Sequence, residues 1–155
     1  MKEILSILIV SISMLVTHSA SAEGYFGVGG SSISGKNITA GISAGIIAGL
    51  KMSDNFGLEL NIDTPVVKAK SNGTDIGYQT TAAYGVFRSG SDTYFKAKAG
   101  FHSTVISASG SSTTVSALAY GIGMGFDDAY EVEYTVLTPE TGSDNLTKIS
   151  FSVLF

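Results

Sequence analysis

In Lys148-Ile149-Ser150-Phe151-Ser152-Val153-Leu154-Phe155, the residues Ile149, Phe151, Val153 and Phe155 alternate with Lys148, Ser150, Ser152 and Leu154. A period of two puts one set on each face of a β-strand. Tyr130, Val132, Tyr134 and Val136 repeat the pattern against Glu131, Glu133, Thr135 and Leu137. Phe56, Leu58, Leu60 and Ile62 do so against Gly57, Glu59, Asn61 and Asp63. Working outward from these, the spacing predicts eight strands, near 24–32, 42–52, 56–64, 76–89, 93–106, 113–126, 129–138 and 146–155. Only Ala44-Gly45-Ile46-Ile47-Ala48 would also read as a small-residue helix; its place inside a hairpin series favours a strand.

The connections alternate in predicted length. Short turns fall at Ser53–Asn55, Gly90–Asp92 and Asp127–Asp128; longer Gly/Ser/Thr-rich loops are expected near 33–41, 65–75, 107–112 and 139–145. Asp54-Asn55-Phe56, Asp92-Thr93-Tyr94 and Asp128-Ala129-Tyr130 repeat Asp-x-aromatic at the short turns. Asp is expected to cap each turn through its side chain.

Ahead of the strands, Lys2, a largely apolar run from Ile4 to Val16 and the small residues Ala20-Ser21-Ala22 have the anatomy of a secretory signal. The run is short of the about 20 residues a membrane helix needs. A signal over 1–22 and one domain over 23–155 are expected. Of the 155 residues, 14% are charged, against a usual ~25%, and the net charge is −4. Thiolate metal sites and disulfides are excluded because cysteine is absent. No basic footprint for nucleic acid exists. The Asn-x-Ser/Thr matches at Asn37, Asn72 and Asn145 are read as chance in a Ser/Thr-rich chain.

Mean hydropathy is positive although no later segment has the length of a spanning helix. In lipid every backbone N–H and C=O must be paired, so a strand protein must close into a barrel. Strand segments of about ten alternating residues suit one. Lys51, Glu59, Asp63, Lys96, Lys98, Glu131, Glu133 and Lys148 all lie on the parity opposite the apolar face. A lysine on the lipid face at mid-membrane costs about 2–4 kcal/mol, so this sorting carries weight. Arg88 breaks the parity and is expected at the lipid interface beside a short turn. Tyr25, Phe26, Phe56, Tyr94, Phe95, Phe126, Tyr130 and Phe155 are expected to form an aromatic band toward the short-turn side. A soluble barrel with its apolar face inside would show the same period. Low charge, short turns on one side and the final Phe155 favour the membrane.

The opening Gly24-Tyr25-Phe26-Gly27-Val28-Gly29-Gly30, then Ala48-Gly49-Leu50-Lys51-Met52, Asp54-Asn55-Phe56-Gly57-Leu58-Glu59-Leu60, Lys96-Ala97-Lys98-Ala99-Gly100 and the terminal Ile149–Phe155 strand resemble the small outer-membrane β-barrel family of OmpX, OmpA-barrel and opacity type. The resemblance spans 23–155. It implies an eight-stranded antiparallel up-and-down transmembrane barrel in a bacterial outer membrane, both termini in the periplasm and the longer loops outward. It also implies that Phe151, Val153 and Phe155 resemble the signal read by the barrel assembly machinery. Expected partners are membrane lipid, lipopolysaccharide, that machinery and a possible external surface ligand; a monomer is expected, with no wall-anchoring domain after Phe155.

An eight-stranded interior is just wide enough for side chains. Glu59, Lys96, Lys98, Glu131 and Glu133 are therefore expected to share an internal ion-pair layer near the short turns, with Lys148 and Asp63 nearer the outer end. Gly41, Gly45 and Gly49, and Gly121, Gly123 and Gly125, share the inner parity and make room for those chains. No cofactor, metal or catalytic set is expected. His102 and Ser103 are adjacent, so they point to opposite faces and cannot act together as a hydrolase requires. The expected role is structural or surface-interacting without an open pore; a narrow solute or ion channel and a lipid-modifying enzyme are the alternatives.

Overall fold

The computed structural model describes residues 23–138 and 144–155. The expected signal over 1–22 lies outside them. The strands are β1 (Glu23–Gly35), β2 (Ile38–Lys51), β3 (Phe56–Val67), β4 (Ala69–Ser71), β5 (Thr74–Gly90), β6 (Thr93–Ala108), β7 (Ser111–Phe126), β8 (Tyr130–Leu137) and β9 (Leu146–Leu154). β3 and β4 form one stave broken at Lys68, so the staves number eight. Sequential staves pair antiparallel, and β1 pairs with β9. β3 also pairs with β5, from Phe56↔Phe87 to Asp63↔Thr80, which closes the sheet. Segment 42–52 is strand from Ile42 to Lys51, within β2. The architecture is the expected eight-stranded up-and-down transmembrane barrel, and closure leaves no free edge around its waist.

The longer loops expected at 33–41, 65–75 and 107–112 are not there. The strands run on to tight turns at Lys36-Asn37, Asn72-Gly73 and Ser109-Gly110. Asn72, Gly73, Ser109 and Gly110 all have positive φ, at 48°, 81°, 48° and 83°. Such pairs match the twist of two-residue hairpins. β5, β6 and β7 thereby reach 17, 16 and 16 residues, where a transmembrane strand needs about 9–11. Of the fourth expected loop, only Asp144 and Asn145 are described.

At the opposite end the turns are short, as expected, but Asp is not the cap at the first of them. There the Phe56 amide donates to Ser53 Oγ at 3.1 Å. Asp127 and Asp128 serve instead by adopting positive φ, 53° and 51°. The first and last described strands meet at this end: the Phe155 amide donates to the Phe26 carbonyl at 2.7 Å.

Apolar side chains point outward: Phe101 is 69% exposed, Ile122 60% and Phe95 60%, while Glu59, Lys96 and Glu131 are at most 1% exposed. That is the inverse of a soluble barrel. Three positions depart from the sequence reading. Arg88 faces inward, because even-numbered residues of β5 line the interior. Ala82, Tyr84 and Val86 misled the parity count; they pack inside against Ala119 and Leu137. Tyr25 and Tyr94 also turn inward and leave the aromatic band, whereas Phe26, Phe56, Phe95, Phe126, Tyr130 and Phe155 remain on the outside.

Candidate functional site

Three strands carry most of the interior charge. β3 supplies Glu59, β6 supplies Lys96 and Lys98, and β8 supplies Glu131 and Glu133. Lys96 stands at the centre. Its Nζ lies 2.6 Å from Glu59 Oε2, 2.6 Å from Glu131 Oε2 and 2.6 Å from Glu133 Oε1. Lys98 Nζ is 2.5 Å from Glu133 Oε2. Arg88 from β5, which sequence reasoning left out, completes the layer: its Nη2 is 3.1 Å from Glu131 Oε1 and 3.5 Å from Glu59 Oε2. Its signal was concealed in the sequence, because Arg88 shares parity with the apolar Ala82, Tyr84 and Val86.

Three carboxylates thus face three cations in this layer. An isolated buried charge is expensive, and pairing with hydrogen bonds offsets that cost. The two inward tyrosines add to the pairing. Tyr25 OH donates to Glu59 Oε2 at 3.0 Å and accepts from Arg88 Nη2 at 2.5 Å. Tyr94 OH donates to Glu131 Oε1 at 2.6 Å. The Arg88 guanidinium lies 4.7 Å from the Tyr25 ring centroid, and Lys98 Nζ lies 4.5 Å from that of Tyr84. Both are within cation–π range. Further outward, Lys148 and Asp63 make a separate pair at 2.6 Å, with Ser31 Oγ donating to Asp63.

The glycine stripes explain how these side chains reach each other. On β7, Gly123 stands between Lys96 and Glu133 in register, and Gly125 stands between Tyr94 and Glu131. On β2, Gly49 stands between Tyr25 and Glu59. A Cβ at Gly49 would collide with the Tyr25 ring, and one at Gly125 with the Tyr94 ring. Each glycine strand is therefore a trough across which its two neighbours bond.

Glu59, Glu131 and Glu133 lie close enough together to hold a metal ion. The Lys96 ammonium occupies the point they converge on, so the chain supplies its own cation there. His102 and Ser103 do point to opposite faces. His102 is inward, hydrogen-bonded to Thr104 Oγ1 at 2.9 Å and to the Thr138 carbonyl at 3.1 Å; Ser103 faces out and accepts from Ser116. Lys51 sits at the short-turn mouth, 3.8 Å from Glu23 and 3.6 Å from Asp128. The repeated Asp54, Asp92 and Asp128 line one open recess of about 360 Å³ at that mouth.

No protein-family model matches the chain, and no curated protein matches it. Solved structures do. Neisserial surface protein A (NspA) superimposes with a TM-score of 0.62 at 14% identity, over 86% of this chain and 97% of that one. The N-terminal β-barrel domain of Pseudomonas aeruginosa OprF gives 0.61 at 11% identity, over 87% and 100%. Ail, the attachment invasion locus protein of Yersinia pestis, gives 0.53 at 15% identity, over 86% and 97%. At these identities the likeness is one of fold, and the fold of this chain is that of the small eight-stranded outer-membrane β-barrels.

Proposed function

We propose that the chain is a non-enzymatic integral protein of a bacterial outer membrane that acts as a structural and surface-interaction barrel and has no open pore. The observation that carries this reading is the charged layer: Glu59, Arg88, Lys96, Lys98, Glu131 and Glu133, none more than 8% exposed, fill the lumen near the short turns. The apolar outer wall meets lipid, and the short-turn end, where Phe26 pairs with Phe155, faces the periplasm. The long hairpins of β5, β6 and β7 then stand on the outer side, facing lipopolysaccharide and any external ligand. One barrel of the same fold is named for attachment and invasion, which suits that role. The protein acts as a monomer.

Planar-bilayer recording of the refolded protein tests the absence of a pore. No unitary current steps are expected; steady single-channel steps would favour a narrow solute or ion channel. Phe151, Val153 and Phe155 form the segment read by the assembly machinery. Phe155→Ala is expected to lower the outer-membrane yield several-fold without changing detergent refolding, as scored by heat-modifiable gel migration. Equal yields would remove that assignment.

A further inference from the structure

Toward the outer end the inward face changes character. Below, it carries ion pairs; above, it is apolar. Ile33, Ala69 and Tyr78 are buried there, with Ile38, Ile76, Ile106 and Leu146 packed against them. Among the described residues, this upper region is not fully filled. A recess of about 240 Å³ opens between Tyr78, Ile106, Val115, Leu137 and Leu146, with His102 among its lining residues. Lys36 and Asp144, both exposed and 4.0 Å apart, stand at its rim.

Three features define what fits. By volume the space matches one compact ring system of about ten heavy atoms, scaled from a cavity of ~150 Å³ that takes benzene. Its walls are mostly apolar, from Ile38, Tyr78, Ile106, Val115, Leu137 and Leu146, with a few polar groups among them, the make-up of a site that takes the hydrophobic body of a small ligand. Three of its polar side chains are already engaged: both His102 nitrogens have partners in Thr104 and Thr138, Thr104 also bonds Thr80, and the Thr138 hydroxyl donates to the Leu118 carbonyl. A buried polar head would find no free partner among these, so a ligand enters ring first and leaves its polar end at the Lys36–Asp144 rim. Beneath the recess, the Tyr84–Val86–Ala119–Leu137 cluster and the ion-pair layer close the lumen. The recess is a dead end, suited to holding a molecule and not to passing it.

We propose that the outer recess is a binding site for a free, single-ring-system amphiphile of indole size, held by its apolar body. This goes beyond the structural role proposed above and does not depend on an external protein partner.

The test is ¹⁹F NMR titration of 5-fluoroindole into the full chain refolded in lipid nanodiscs, for wild type, Val115→Trp, Ile106→Trp and Leu118→Trp. Val115 and Ile106 line the recess from β7 and β6; Leu118 faces outward and is 56% exposed. Heat-modifiable migration checks that each variant has folded. Saturable one-site binding is expected for wild type and Leu118→Trp. At least tenfold weaker binding is expected for whichever of Val115→Trp and Ile106→Trp folds. A shift that rises linearly without saturating, or equal binding in all folded proteins, would mean partition into lipid and would overturn the site. Blocked 5-fluorotryptophan amide bound tenfold more tightly than the free ring would overturn the free-amphiphile assignment in favour of a protein side chain.

Discussion

Lys96 is the residue on which the interior depends. It sits within 2.6 Å of three carboxylates, and Arg88 and Lys98 cannot replace it at that point. Lys96→Met keeps much of the volume and removes the charge, leaving three carboxylates against two cations. Breaking a buried pair in this way costs about 3–5 kcal/mol. The urea midpoint of the refolded protein is expected to fall accordingly, and adding Glu133→Gln is expected to recover part of the loss. An unchanged midpoint for Lys96→Met would mean that the layer contributes nothing to stability. Arg88, Tyr25 and Tyr94 show how the site could have been read more fully from the sequence. Tyr94 shares parity with Lys96 and Lys98, and Tyr25 takes the parity opposite Phe26 and Val28, so strict counting turns both inward; for Arg88 it required setting aside the apolar character of Tyr84 and Val86, which share its parity. Hydrophobic content was the wrong guide on β5, because Ala82, Tyr84 and Val86 are apolar and yet face the interior.

At the scale of the strand, β7 is built around its three inward glycines. A Cβ on Gly123 would come within 2.6 Å of the Val132 carbonyl and 3.0 Å of Glu133 Cγ. Gly123→Val is therefore expected to destabilise by about 1–3 kcal/mol through overpacking. Gly85→Ala on β5, where the nearest atom is 3.8 Å away, is expected to be near neutral. Chemical unfolding in the same lipid compares the two; equal effects would deny the trough its role. The existence and order of the strands were legible because alternation survives wherever one face is apolar and the other ionised. Their outer ends were not. Beyond the belt, Ser111–Thr114 and Thr74–Asp75 are polar on both faces, so the period disappears and a strand reads as loop. The Asn72-Gly73 pair was a recognisable two-residue hairpin signal, obscured by the polar residues around it. The Asn37 and Asn72 glycosylation matches have a structural reason instead: both sit in turns with positive φ, 61° and 48°, which asparagine tolerates well.

For the whole molecule, two opposite surfaces follow from one chain pattern. The wall presents rings and aliphatic groups outward, and the lumen encloses the ionised groups, balanced in sign. Composition alone permitted the inverse, a soluble barrel with a greasy core, and alternation could not choose between them. What chooses is where each parity lies around the axis. Because the chain contains no cysteine, single cysteines introduced along Tyr130–Val136 can each carry one spin label without competing sites. Collision with oxygen, which concentrates in lipid, and with a water-soluble nickel chelate then reports the surroundings of each position in liposomes. Oxygen accessibility is expected to peak at Tyr130, Val132 and Tyr134 and to fall at Glu131, Glu133 and Thr135, with a period of two. Peaks at Glu131 and Glu133, or no alternation at all, would contradict the outward-facing apolar wall.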